Sequence, residues 1–201
     1  MKTLKLSLLA SALLIFGISS CKKDTPATPP TPAVYSTADL SVPFNPSSSF
    51  VFFSFKNGAV VASTDSATTK WDIGVRYVDI ILNSHSSGPG NAGVITQMVN
   101  ISTNTTFDSL KEAPTTGYAY DTTSTSRAIN TDLNAGWYNY DRNTHAFSSK
   151  ADRFFIIRTA DNHYVKMEIL SVGYAPFTGP TPVTLDYKIR YAYQPNNATN
   201  F

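Results

Sequence analysis

Disulfides are excluded from this chain by composition: of 201 residues only Cys21 carries a thiol, so the fold has no covalent framework. Glutamate is nearly as scarce. Of the 14 acidic residues all but Glu112 and Glu168 are aspartate, and Asp is the poorer helix former. Charge of one sign is missing as well. Setting aside Lys2 and Lys5, 14 basic residues face 14 acidic ones, so no nucleic-acid partner is expected. No Gly-x-Ser-x-Gly, His-Glu-x-x-His or phosphate loop occurs. The run "GPGNAG" at 88–93 lacks the lysine and following helix of a phosphate site and reads as a turn. Without a recognisable nucleophile–base pair, no enzyme is expected.

The apolar stretch Leu6–Phe16 falls short of the ~20 residues that span a bilayer. It follows the basic Lys2 and Lys5 and precedes small residues, which is the layout of a secretory signal. Ile18-Ser19-Ser20-Cys21 resembles a bacterial lipobox. That resemblance implies a diacylglycerol on the Cys21 thiol and cleavage before it. Anchoring would then rest on buried methylenes at ~0.8 kcal/mol each. "KKDTPATPPTP" follows, with four prolines in eleven residues, and reads as an extended polar tether. The expected organisation is a signal at 1–20, a tether at 21–34 and one domain at 35–201.

What is abundant in that domain favours strands: Thr, Ser, 11 Tyr and 12 Phe. In "PVTLDYKIRYAYQ" the period is two: Val183, Leu185, Tyr187, Ile189, Tyr191 and Tyr193 share a face. In "HYVKMEILS" Val165, Met167 and Ile169 face one way, Lys166 and Glu168 the other. "RFFIIRT" is apolar throughout and reads as a central strand covered on both sides, with a turn at Asp161-Asn162 before the next strand. Asn57-Gly58 predicts a type I′ hairpin between "FVFFSFK" and "AVVAS". "KWDIGVRYVDIILNS" reads as one strand, with Trp71, Ile73, Val75 and Tyr77 on one face and a bulge or change of sheet near Val78 and Asp79. "VITQMVNI" and "GWYNYD" are further strands, and 102–136 is loop with short strands. The fold class is therefore all-β, a single antiparallel β-sheet domain.

Three histidines remain to be placed. His85 lies in the Gly-rich loop, His145 in "NTHAFS" past a strand, and His163 after the Asp-Asn turn, where it is expected to be exposed. Each is either a solvated turn residue or an iron ligand. Met98 and Met167 could also ligate haem iron. Met167 shares a face with Val165 and Ile169 and reads as core, while Met98 stays open. Asp72, inside an apolar run, reads as a hydrogen-bonded structural acid.

"FFSFKNGAVV", "KWDIGVRYVDIILNS", "SSGPGNAGV", "GWYNY" and "RFFIIRTADNHYVKMEIL" occur in this order, before a Tyr-rich final strand. In that order the blocks resemble the HmuY-type haem-binding lipoproteins of Gram-negative bacteria, over about residues 50–194. The resemblance implies an all-β domain on the outer membrane, facing the periplasm or the cell surface. It further implies haem as the ligand and an outer-membrane transporter as partner. The founding member's site implies two histidines around the tryptophan strand. Here 102–136 has neither His nor Met, and the offset after Trp137 gives Arg142, which stays protonated and does not ligate iron. The usual two-histidine site is thus expected to be absent, leaving His145, Met98 and His85 as haem-binding candidates. No separate metal site is expected. The alternative is a lipoprotein that binds a glycan or a protein through exposed Tyr and Trp.

Overall fold

The computed structural model describes residues 31–176 and 179–201. The expected signal, Cys21 and the tether up to Pro30 lie outside the described residues. Among the described residues eleven strands form, all pairing antiparallel. In chain order they are β1 (Val34–Pro43), β2 (Val51–Ser54), β3 (Ala59–Val61), β4 (Ile73–Arg76), β5 (Asp79–Leu82) and β6 (Gly93–Met98), then β7 (Tyr138–Tyr140), β8 (Phe147–Ser149), β9 (Arg153–Arg158), β10 (Tyr164–Tyr174) and β11 (Thr184–Tyr193). The strands divide into a five-stranded sheet β1-β11-β10-β9-β6, a four-stranded sheet β3-β2-β4-β5 and the β7-β8 hairpin. Among the described residues the only helical turn is Ser63–Asp65.

The larger sheet contributes Val165, Met167 and Ile169 from β10, with Leu185, Tyr187 and Ile189 from β11, to the main core. The smaller sheet answers with Phe53, Ile73, Val75, Ile80 and Leu82. Period-two patterning therefore places its apolar set in the core as expected. Val183 is the exception: it precedes β11 and is 73% exposed.

β9 is buried along its length because its two faces meet different neighbours. Phe155 and Ile157 enter the main core. Phe154 and Ile156 pack with Phe107, Ala113 and Tyr118, so the long loop after β6 covers the outer face of the sheet. That loop is organised by Asp121, fully buried, whose carboxylate accepts from the Leu82 and Ala128 amides, each at 2.9 Å.

Lys166 departs from the expected polar face. It is fully buried, and its Nζ donates to the Phe107 and Leu110 carbonyls at 2.7 and 2.8 Å. The rings of Phe107, Phe201 and Tyr35 lie 4.9–5.3 Å from it. Alternation correctly set its direction. What it could not show was the loop arriving from 56 residues away to roof it. Desolvation lowers its pKa to about 8.

Two turns also differ from expectation. Ser54 pairs with Ala59, so the β2–β3 connection has four residues rather than two. Only Gly58 in it has positive φ, at +62°, and its amide donates to Ser54 O at 2.9 Å. A two-residue I′ turn needs both central residues at positive φ, and Asn57 is not there. The stretch from Trp71 to Ser84 is not one strand. Arg76 pairs with Asp79, so the chain reverses at Tyr77-Val78, with Tyr77 at φ +51°. The broken alternation at Val78 marks this tight hairpin. Trp71 precedes β4 and packs with Phe52 and Ile81 on the outer side of the small sheet, apart from Ile73 and Val75. The "GPGNAG" run is the expected turn, wrapped around buried Asn83. A Cβ at Gly88 would stand 2.3 Å from Asn83 Oδ1, and Asn83 Oδ1 accepts from the Gly90 amide at 2.9 Å.

Candidate functional site

The β7–β8 hairpin closes on a loop, 141–146, shaped by its own polar groups. Asp141 Oδ1 accepts from the Asn143 amide at 2.8 Å, and the Asp141 amide donates to Ala146 O at 2.9 Å. The Asn143 hydrogen bond holds the Asp141 carboxyl below its usual pKa. This loop sets His145 at φ +56°, a conformation uncommon for non-glycine residues. His145 is exposed. Its Nδ1 is 2.6 Å from the Tyr140 hydroxyl, and its carbonyl accepts from the Tyr174 hydroxyl at 2.8 Å. Pinning Nδ1 leaves Nε2 as the nitrogen for a ligand.

Beneath His145 the rings converge. Phe147 touches Tyr140 at 4.9 Å, Tyr77 at 5.7 Å and Tyr174 at 5.8 Å between centroids. Phe44 adds contacts to Tyr77 at 5.3 Å and Tyr174 at 5.1 Å. Phe147 is buried, but Phe44, Tyr77, Tyr140 and Tyr174 keep part of their surface in water. Burial raises the phenol pKa values of Tyr77 and Tyr174, with the nearby Tyr140 adding to both. Both phenols stay neutral at physiological pH. The result is an apolar, uncharged platform beside one oriented imidazole.

The other candidates lie elsewhere. His85, at φ +46°, stacks on Tyr120 with centroids 4.9 Å apart and rings 1° from parallel. Tyr120 bonds Arg158, which pairs with Gly93 at the start of β6. Met98 closes the same strand opposite Arg153 and is 46% exposed. Five residues of strand, ~16 Å, therefore separate the His85 end from Met98. His145 sits past these, against Tyr174 at the last position of β10. The structure thus spreads the three candidates along the strand direction. None of the five main grooves among the described residues is lined by any of them. His163, expected in solvent, has a side chain only 18% exposed, with Nδ1 3.0 Å from Asp161 Oδ1. Both tryptophans are buried, Trp71 at 0% and Trp137 at 2% exposure, so neither offers a stacking face. Asp72 has the structural role expected of it: its oxygens accept from the Phe55 amide at 2.8 Å and the Ala160 amide at 3.2 Å.

Sequence reasoning singled out His145 but missed its platform. Phe44, Tyr77 and Tyr174 come from three distant segments, and only aromatic abundance hinted at them. A family model for the HmuY protein matches residues 47–187, well over half of the chain. The chain belongs to the HmuY family. Its architecture is similar to the apo HmuY analog (TFO) of Tannerella forsythia, with a TM-score of 0.51 at 12% identity, covering 82% of this chain and 99% of that one. A candidate HmuY-like heme binding protein of Bacteroides vulgatus aligns with a TM-score of 0.47 at 15% identity, over 80% of this chain and 93% of that one. A candidate lipoprotein of Bacteroides fragilis aligns with a TM-score of 0.47 at 10% identity, over 80% and 90%. No curated protein matches the chain. The all-β antiparallel HmuY fold is therefore established, at sequence identities that speak for the fold alone.

Proposed function

We propose that this HmuY-family protein captures haem on the aromatic platform below His145, with Nε2 of His145 as its single iron ligand. Haem is flat and largely apolar, and an oriented imidazole binds its iron well. The observation that carries this reading is the Tyr140 hydroxyl bonding His145 Nδ1 at 2.6 Å at the edge of the Phe44–Tyr77–Phe147–Tyr174 cluster. Family membership supports the ligand class. The donor set at this end fits a one-ligand surface complex. It does not fit the two-ligand clamp, because Met98 and His85 belong to other parts of the fold.

The lipobox-like Ile18–Cys21 segment supports a lipid anchor on the outer membrane, facing the periplasm or the cell surface. From there haem would pass to an outer-membrane transporter. Titrating the full chain with haemin tests the ligand. A saturable Soret shift at micromolar haem is expected, weakened at least about tenfold (about 1.4 kcal/mol) by His145→Ala. No Soret change, or an unaltered spectrum in that variant, overturns the site. The mass of the mature protein tests the anchor: diacylglycerol on Cys21 is expected, and an unmodified thiol refutes it.

A further inference from the structure

At the opposite end of β10 from His145 the molecule has a site of different chemistry. A groove of about 480 Å³ is lined by Lys56, Asn57, Asp65, Thr69, Lys70 and Asp161, among others. A second, of about 310 Å³, shares Lys56 and Asn57 with it and reaches Tyr191 and Tyr193. Both volumes lie in the range of small-molecule sites. The β2–β3 loop is the ridge they share. Gly58 permits that ridge, since a Cβ there would stand 2.9 Å from the Tyr191 hydroxyl.

The charges of the larger groove are already engaged: its two lysines face carboxylates, and its third carboxylate, Asp72, is held by the Phe55 and Ala160 amides. Lys70 Nζ lies 2.9 Å from Asp65, and Lys56 Nζ 4.0 Å from Asp161. An anion would have to draw a lysine from its carboxylate, and a cation would compete with hydrogen bonds already made, whereas a neutral ligand disturbs neither. Val60 and Val61 add an apolar strip, suited to the C–H face of a ring. The lining offers donors from Lys56, Lys70, Asn57 and Thr69 and acceptors from Asp65, Asp161, Asn57 and Thr69 to a ligand's hydroxyls.

A second, independent observation points to a ligand. Tyr193 is 5% exposed, and its buried hydroxyl has no hydrogen-bond partner. Burial raises its pKa, and the nearby Asp161 and Asp72 carboxylates add to the rise. A buried hydroxyl left without a partner destabilises the fold. Tyr193 lines the smaller groove, and a ligand oxygen that reached its hydroxyl from there would satisfy it.

We propose that the joined grooves bind a neutral, polyhydroxylated ligand, a short oligosaccharide, with Asn57, Thr69 and Asp161 holding its hydroxyls and Tyr193 donating to it. Haem, apolar and anionic at its propionates, does not suit this lining, so the site is independent of the haem reading.

Isothermal titration of the full chain against neutral, acidic and amino trisaccharides decides it. At least one neutral trisaccharide should bind, with affinity unchanged by saturating haemin. The exposed pair Asn57→Ala and Thr69→Ala should reduce affinity at least about tenfold. Tyr193→Phe is the sharpest probe. It removes an unpartnered hydroxyl, so thermal stability should hold or rise while affinity falls at least about fivefold. The proposal is overturned if no neutral sugar binds at millimolar concentration, if only charged sugars bind, or if binding survives these substitutions. Failure to bind haemin would leave it standing, so the two readings fail separately.

Discussion

The two ends of β10 make opposite use of the same strand. At Tyr174 the chain has gathered rings from four segments around one imidazole. At Tyr164, ~33 Å away for a ten-step strand, it has gathered carboxylates, lysines and an unpaired phenol around two grooves. Stability explains part of the difference. The aromatic end buries surface and holds the β7–β8 hairpin onto the larger sheet. The polar end is braced by Asp72, which ties the β2 side to the β9–β10 turn through two backbone amides. One end is held by packing and the other by hydrogen bonds, so they should respond to different perturbations.

Phe147→Ala should separate them most strongly. Removing the hub of the aromatic end costs ~3–5 kcal/mol, read by urea denaturation, and should abolish haem binding. A loss under ~1 kcal/mol would show that the cluster is not a packed unit.

Lys166→Met ranks next. It leaves the Phe107 and Leu110 carbonyls without their donor, at ~1–3 kcal/mol. In the parent protein the folded-state pKa of Lys166 is lowered to about 8 from 10.5. The unfolded chain therefore holds the extra proton between those values, and stability rises with pH across that window. The variant should lose that rise; a parent stability curve that is flat there contradicts the buried cation.

Asp72 gives the opposite slope at the polar end. Its pKa is raised to about 6 from 3.8, chiefly by burial. The folded state then binds the proton more tightly, so stability falls as pH rises from about 4 to about 6 and levels off above it. Denaturation midpoints in that range should show the fall in the parent and flatten in Asp72→Asn. A slope that persists in the variant assigns it to other carboxylates.

Gly58→Ala should have the smallest effect. The strain of positive φ and the approach to the Tyr191 hydroxyl together cost ~1 kcal/mol. Thermal unfolding would check this, and the change should fall on oligosaccharide binding while leaving haem binding intact.

The strands were legible because period two is a local signal; turn type was less so, since Asn57-Gly58 fell in a four-residue connection. The core-facing residues of β10 from Val165 to Ile169 and of β11 from Leu185 to Tyr193 could be assigned from the sequence, and so could the double burial of β9. β1 left no comparable mark: in "VYSTADLSVP" polar residues interrupt the apolar ones, and an edge strand of mixed burial needs little hydrophobic patterning. The sites were far less readable. His145 could be named from the sequence, but its bond to Tyr140 depends on the 141–146 loop geometry. The Asp161–Asp72–Tyr193 grouping is set by register between distant strands, and nothing local encodes it. Lys166 shows the limit clearly. Its strand position was right, and its burial followed from a loop whose path had no periodic signal.

The pairing of β1 with β11, ten residues in antiparallel register from Val34–Tyr193 to Pro43–Thr184, has a mechanical consequence. A pull applied from the N-terminal side along β1 would load all of those pairs together, in shear, instead of peeling them one after another. A molecule held by its N-terminal end would then resist drag on its body at the seam where its first and last strands meet.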